Sequence, residues 1–169
     1  FQELSSRVRL FTVYGNHENF GVIMRYAVPN GKVFEVGGLR IAGINGLIGD
    51  GKKVYEVTPN QFLRIVRRLK VGGRLDILVA HQPPYLPELY PKMKYDEYSE
   101  MMLEALEELR PRLFLNGHMT GGCYSYYEFP FGTKYLRVDS SQSHKCYAVI
   151  EGEEATVFED EEEVWRFNI

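Results

Sequence analysis

The chain has 169 residues, enough for one real hydrophobic core, so a single domain over 1–169 is the expectation. With 44% hydrophobic and 25% charged residues and a net charge of −3, it lacks the positive balance that a broad grip on nucleic acid or anionic lipid needs. No apolar run approaches the roughly 18 residues of a membrane helix and no signal peptide is visible, which predicts a cytoplasmic protein with no membrane partner.

The first residue is Phe1 rather than Met, and residues 1–5 read as the end of a helix. Arg7 and Arg9 alternate with Val8 and Leu10 before Phe11, Thr12 and Val13, a pattern that predicts a strand running into Gly15-Asn16-His17-Glu18. Residues 33–36 and 39–44 flank Gly37-Gly38 and predict a hairpin. Gly46, Gly49 and Gly51 fall in a stretch with few anchors, so residues 45–53 are expected as an exposed loop.

Thr58-Pro59 opens a helix as N-cap and first-turn proline. Phe62, Ile65, Val66 and Leu69 follow at helical spacing, and Gly72-Gly73 ends the element. Arg64, Arg67, Arg68 and Lys70 read equally as a local basic patch or as the solvated face of this helix. Residues 75–80 are almost wholly apolar, as in a strand buried on both faces, and lead into His81-Gln82-Pro83-Pro84. Prolines then stiffen an irregular loop to residue 95, which is expected to overhang whatever His81 serves. Its Tyr85, Tyr90 and Tyr95 either stack an aromatic group of a substrate or pack the loop onto the body.

A second helix is predicted over 96–110, with Met102, Leu103, Leu106 and Leu109 inward, stopped by Pro111. Residues 112–115 form a short strand that delivers Asn116-Gly117-His118-Met119-Thr120. Only strands follow, over 123–129, 133–138, 146–150, 155–158 and 164–167, with the acidic run 159–163 as a solvated turn. Cys123 and Cys146 belong to no CxxC pair and are expected as buried, reduced thiols. Strands with two interspersed helices, then strands alone, predict a mixed-sheet α/β sandwich flanked by helices.

Three of the four histidines, His17, His81 and His118, thus follow predicted strands, where open α/β sheets gather their ligands. Each lies next to or within a residue of Gly or Pro, residues that aim a side chain out of a tight turn. An asparagine oxygen with two imidazoles is a mixed N/O donor set suited to Mn, Fe, Zn, Co or Ni rather than Ca or Mg. Such a set leaves coordination positions open for water and substrate. His144 stands outside the pattern, as an ordinary loop histidine or a substitute ligand.

In these blocks the chain resembles the calcineurin-like metallophosphoesterase family. That family carries D-x-H, G-D-x-x-D or N, G-N-H-D or E, a lone H, and G-H-x-H in order. Gly15 to Glu18 matches the third block, His81 the fourth, and Gly117-His118 the first half of the fifth. The resemblance implies a four-layer α/β/β/α fold and two divalent transition metal ions of the Mn, Fe or Zn class. It assigns Asn16, His81 and His118 to the second metal and places His17 over the leaving group of a phosphomonoester or phosphodiester. Attack by a metal-activated water is implied, with His17 as general acid or as a donor to the developing charge. Glu18 would orient His17 or cap the following turn.

The first two blocks are absent, and Thr120 stands where the last histidine is expected. Gly49-Asp50 reads as a glycine-rich turn rather than the second block, since Lys53 replaces the required acid. A segment bearing D-x-H and G-D-x-x-D is therefore expected to precede Phe1, or a partner chain to supply it, because exposed sheet edges would otherwise result. The alternative expectation is a module of the same fold that has lost catalysis and serves as a protein-interaction scaffold.

Overall fold

The computed structural model of the chain describes residues 1–139 and 145–169; His144 therefore lies outside the described residues. The chain opens with a short helix, α1 (Gln2–Arg7), and a single turn, α2 (Phe20–Ile23). Residues 8–14 between them do not form the predicted strand: the one ladder contact described is a bridge from Thr12 to Ala27. The reason lies at Gly43, where a Cβ would sit 2.8 Å from Val13 Cγ1. Val13 packs into that gap against the face of the sheet rather than extending its edge.

Gly37 and Gly38 take φ of 57° and 82°, the turn that matches strand twist, and fold β1 (Val33–Val36) onto β2 (Leu39–Ile44). The segment after β2 corrects the expectation of an exposed loop. Residues 45, 46, 48 and 49 are buried, and Leu47–Ile48 (β3) pairs in parallel with Glu56–Val57 (β4). Glycine makes the burial possible, since a Cβ on Gly46 would strike the Tyr55 carbonyl oxygen at 1.9 Å.

Thr58 caps α3 (Pro59–Val71) with a reciprocal box, its backbone N–H donating to Gln61 and its hydroxyl accepting from the Gln61 N–H. β5 (Ile77–Ala80) follows, then the proline-rich loop and α4 (Glu97–Leu109), which Asp96 caps through the N–H groups of Tyr98 and Ser99. The remaining strands are β6 (Leu113–Asn116), β7 (Tyr124–Glu128), β8 (Lys134–Val138), β9 (Cys146–Glu151), β10 (Glu154–Glu159) and β11 (Glu162–Asn168).

Six strands form one mixed sheet in the order β1-β2-β5-β6-β8-β7, parallel from β2 to β8 with an antiparallel strand at each edge. Alternate residues of its strands serve two cores. Ala42, Ile44, Leu78, Ala80 and Phe114 meet Phe62, Val66 and Leu69 of α3 and Met102 and Leu106 of α4. On the other face Ile77, Leu113 and Leu136 meet Ala155 and Val157 from the sheet β11-β10-β9. The predicted mixed α/β sandwich is thus present as helices, mixed sheet and second sheet. Tyr147 and Val149, facing away from that second core, are 44% and 38% exposed.

Cys123 and Cys146 correct a third expectation: they form a disulfide that joins the residue before β7 to the start of β9. The expectation of a cytoplasmic protein gains no support from this bond, since disulfides are rare in the cytosol outside hyperthermophiles. No helix among the described residues is long and apolar enough to cross a membrane.

Candidate metal centre

Three loops at the C-terminal ends of parallel strands build the centre. The first, residues 14–18, is stitched to the end of β2: the Tyr14 N–H donates to Asn45 Oδ1 at 3.1 Å and the Gly46 N–H to the Tyr14 carbonyl at 2.8 Å. Asn45 is itself buried and anchored through Nδ2 to Val28 O and Asn30 Oδ1. His81 directly follows β5, and His118 stands two residues beyond β6. Asn16, His81 and His118, far apart in sequence, come together here.

His81 Nε2 lies 3.0 Å from Asn16 Oδ1 and 2.9 Å from His118 Nδ1. A ring nitrogen offers either one proton or one lone pair, so Nε2 cannot satisfy both neighbours in the same way. A shared cation resolves the conflict, because all three atoms then present lone pairs. Donors about 2.1 Å from one ion and at right angles to each other are about 3 Å apart, the distance that separates His81 Nε2 from each of the other two atoms. The donor set therefore fits a divalent ion of the transition series.

Electrostatics favour the same protonation state. Burial, then the charges of His118 and His17, push His81 down to about 4. Burial and the His17 charge also lower His118, whose ring lies at the surface but turns Nδ1 toward His81. Both imidazoles are thus neutral at pH 7, the form that donates to a metal. His17 is exposed and close enough for its charge to act on both rings.

Backbone detail sets this arrangement. Gly15 is pressed against the His81 ring, and a Cβ there would lie 2.4 Å from Cε1. His118 itself adopts φ 61° while the Met119 N–H bonds back to the Gly117 carbonyl at 2.7 Å, a γ-turn with a left-handed central residue. Such a conformation costs about 1 kcal/mol or more in a residue with a Cβ and persists only where the surroundings enforce it. Arg137, fully buried, provides the enforcement: its guanidinium donates to the carbonyls of Met119, Gly121 and Gly122 and to Ser125 Oγ, with Asp139 at 3.5 Å.

Asn116 is a residue that sequence reasoning leaves unassigned inside a quoted motif. Its buried Nδ2 donates to the carbonyls of Ala80, His81 and Gln82, while Oδ1 accepts from the Tyr135 hydroxyl. That hydroxyl also contacts Tyr90 Oη at 2.9 Å, and burial drives the Tyr135 phenol far above its usual range. Tyr90 accordingly packs its loop onto the body, whereas Tyr85 and Tyr95 meet edge to face at 5.4 Å. The loop does reach the centre: Met93 and Lys94 line a cavity of about 320 Å³ with His118 and Met119. A second, more apolar cavity of about 380 Å³ touches His81, Asn116 and Gly117 from the side of Val13 and Leu136.

The capping role expected of Glu18 is not found: Glu18 is exposed, and Asn19 precedes α2 without a side-chain cap. Thr120 is exposed at the loop edge. Among the described residues, the one tight cluster of three His, Cys, Asp or Glu side chains is Cys123, Cys146 and Glu159, and its two sulfurs are bonded to each other.

Comparison of the sequence with protein-family models and with curated proteins returns no match. Solved structures do share the fold. One crystal structure matches over 94% of this chain and 65% of its own length, with a TM-score of 0.60 at 14% identity. TT1561 of Thermus thermophilus matches over 88% of this chain and 62% of its own, with a TM-score of 0.51 at 15% identity. GAP50, described as the anchor in the inner membrane complex of Plasmodium, matches over 85% and 56%, with a TM-score of 0.54 at 12% identity. The chain spans less than two thirds of each of these proteins, and at such identities the likeness establishes the fold alone.

Proposed function

We propose that the chain belongs to a metal-dependent phosphoesterase of the calcineurin-like type, acting on a phosphomonoester or phosphodiester. The observation that carries this reading is that His81 Nε2 lies within about the spacing of two ligands on one ion from both Asn16 Oδ1 and His118 Nδ1. Those three residues would hold a cation of the Mn, Fe or Zn class. Such an ion supplies Lewis-acid polarisation of phosphoryl oxygens and an activated water. A second ion and the four-layer form of the fold belong to the same reading.

The side chains have separable roles. Asn16, His81 and His118 bind and orient. His17, exposed beside them, donates a proton or a hydrogen bond to the leaving oxygen, since an imidazole ordinarily titrates near neutrality. The loop bearing Met93 and Lys94 walls the cavity beside His118, and the Lys94 ammonium suits an anionic substrate. Thr120 favours the second reading, an inactive interaction module of the same fold, because threonine is a poor ligand for a transition metal.

Metal content by elemental analysis, with hydrolysis of bis-p-nitrophenyl phosphate measured with and without Mn²⁺, separates the two. Bound metal with Mn-dependent turnover is expected from the enzyme; folded, metal-free and inactive protein selects the scaffold. His81→Ala and His118→Ala are expected to reduce bound metal, and full retention in both would show that the assigned ligands are wrong. His17→Ala is expected to lower turnover while metal content stays near wild type.

A further inference from the structure

A further concavity lies away from the histidines, at the opposite ends of the strands. It has a volume of about 620 Å³, within the range of small-molecule sites. Its wall is formed where the chain enters β5, β6 and β8, and five cationic side chains line it: Lys70, Arg74, Arg110, Arg112 and Lys134. Glu108 is the one acidic side chain among the residues that line it. In a chain of net charge −3, this is a strong local reversal of sign.

Ion pairs do not use up this charge. Arg112 is committed to structure, with Asp76 at 3.6 Å, Glu153 at 3.0 Å and the Ile169 carbonyl. Lys70 meets Glu108 at 2.7 Å, and Lys134 meets Glu128 at 3.8 Å and donates to the Asn168 carbonyl. Among the described residues no carboxylate pairs with Arg74 or with Arg110. The placement of Arg110 adds to this. It sits past the end of α4 at φ 45°, a left-handed position that glycine fills at least cost. Its Nε caps the Glu107 carbonyl, which satisfies one helix-end acceptor and leaves the rest of the fork free.

We infer that this cleft binds a small multivalent phosphate anion, with Arg74 and Arg110 as its principal partners and Lys70 and Lys134 beside them. Guanidinium forks match phosphate oxygens in geometry, and two unpaired forks on one concave wall favour a ligand with more than one phosphoryl group over a monoanion. The site is separate from the histidine centre and does not depend on the activity proposed for it.

Tripolyphosphate, titrated calorimetrically into the metal-free chain at low salt, tests the assignment. One site per chain is expected, weakening as salt rises. The double variant Arg74→Gln/Arg110→Gly is expected to bind about tenfold or more weakly, since each guanidinium contributes charge-assisted hydrogen bonds. Glycine at 110 suits the left-handed backbone, so that variant should stay folded, which its thermal melt verifies. His81→Ala, altered only at the far centre, should bind as wild type does. Absence of binding, unchanged binding in the double variant, or loss in His81→Ala would each overturn the assignment.

Discussion

Asn116 is the residue on which most of the centre's geometry converges. Three donated hydrogen bonds fix the backbone that carries His81, and its oxygen ties that backbone to buried Tyr135. Asn116→Ala should destabilise the fold by about 2–4 kcal/mol, because it strands buried carbonyls and the Tyr135 hydroxyl. It should also weaken metal binding about tenfold through displacement of His81. Urea unfolding and a metal titration measure the two effects independently. His81 makes a pH prediction as well. The unfolded chain takes up this proton near pH 6.5, the folded chain only at about 4. Stability from this group is therefore complete above about pH 6.5 and declines as the pH falls toward 4, because the unfolded state binds more protons in that window. His81→Ala should flatten the decline in unfolding midpoint over that range; an unchanged slope would assign it to other groups.

At the scale of elements, the helices and the hairpin are legible in the sequence because each carries its own local signal. Thr58-Pro59 with Gln61, Asp96, and Gly37-Gly38 act on residues within a turn of themselves. Residues 8–14 mimic a strand for the converse reason. Alternation records which side chains are covered, and here the cover is Gly43 on a sheet face rather than a neighbouring strand. The burial of residues 45–49 also depends on distant chain, through Tyr14, Asn30 and Tyr55. The candidate ligands can be read from their blocks, but the arginine that shapes the His118 loop cannot, since Arg137 looks like any charged residue on an edge-side strand. Its loss is expected to be severe. Arg137→Ala should cost about 3 kcal/mol or more, since it removes the buried guanidinium that the carbonyls of 119, 121 and 122 accept from. Chemical denaturation gives that figure, and a loss below about 1 kcal/mol would mean that water replaces the guanidinium at almost no cost.

For the whole molecule, the bond between Cys123 and Cys146 joins the six-stranded sheet to the three-stranded one across 23 positions of sequence. Closing a loop of that size removes unfolded-state entropy worth about 3 kcal/mol. Reduction, or the pair Cys123→Ser/Cys146→Ser, should lower the unfolding midpoint accordingly in a denaturant series. An unchanged midpoint would show that the two sheets hold together through their apolar contact alone. No sequence signal announces this pairing, because neither cysteine has a partner within a short spacing and the contact exists only after the sheets have stacked.

The parallel run β2-β5-β6-β8 has a consequence for how the protein reaches its native state. Parallel neighbours need long crossovers, and each pairing closes a large loop before any contact compensates the lost entropy. Asn16, His81 and His118 are delivered by three such distant segments, so no fragment or early intermediate holds them together. Refolding of this chain should be slow beside that of helical proteins of equal length. Metal capture should appear in step with the final native signal and serve as its kinetic reporter.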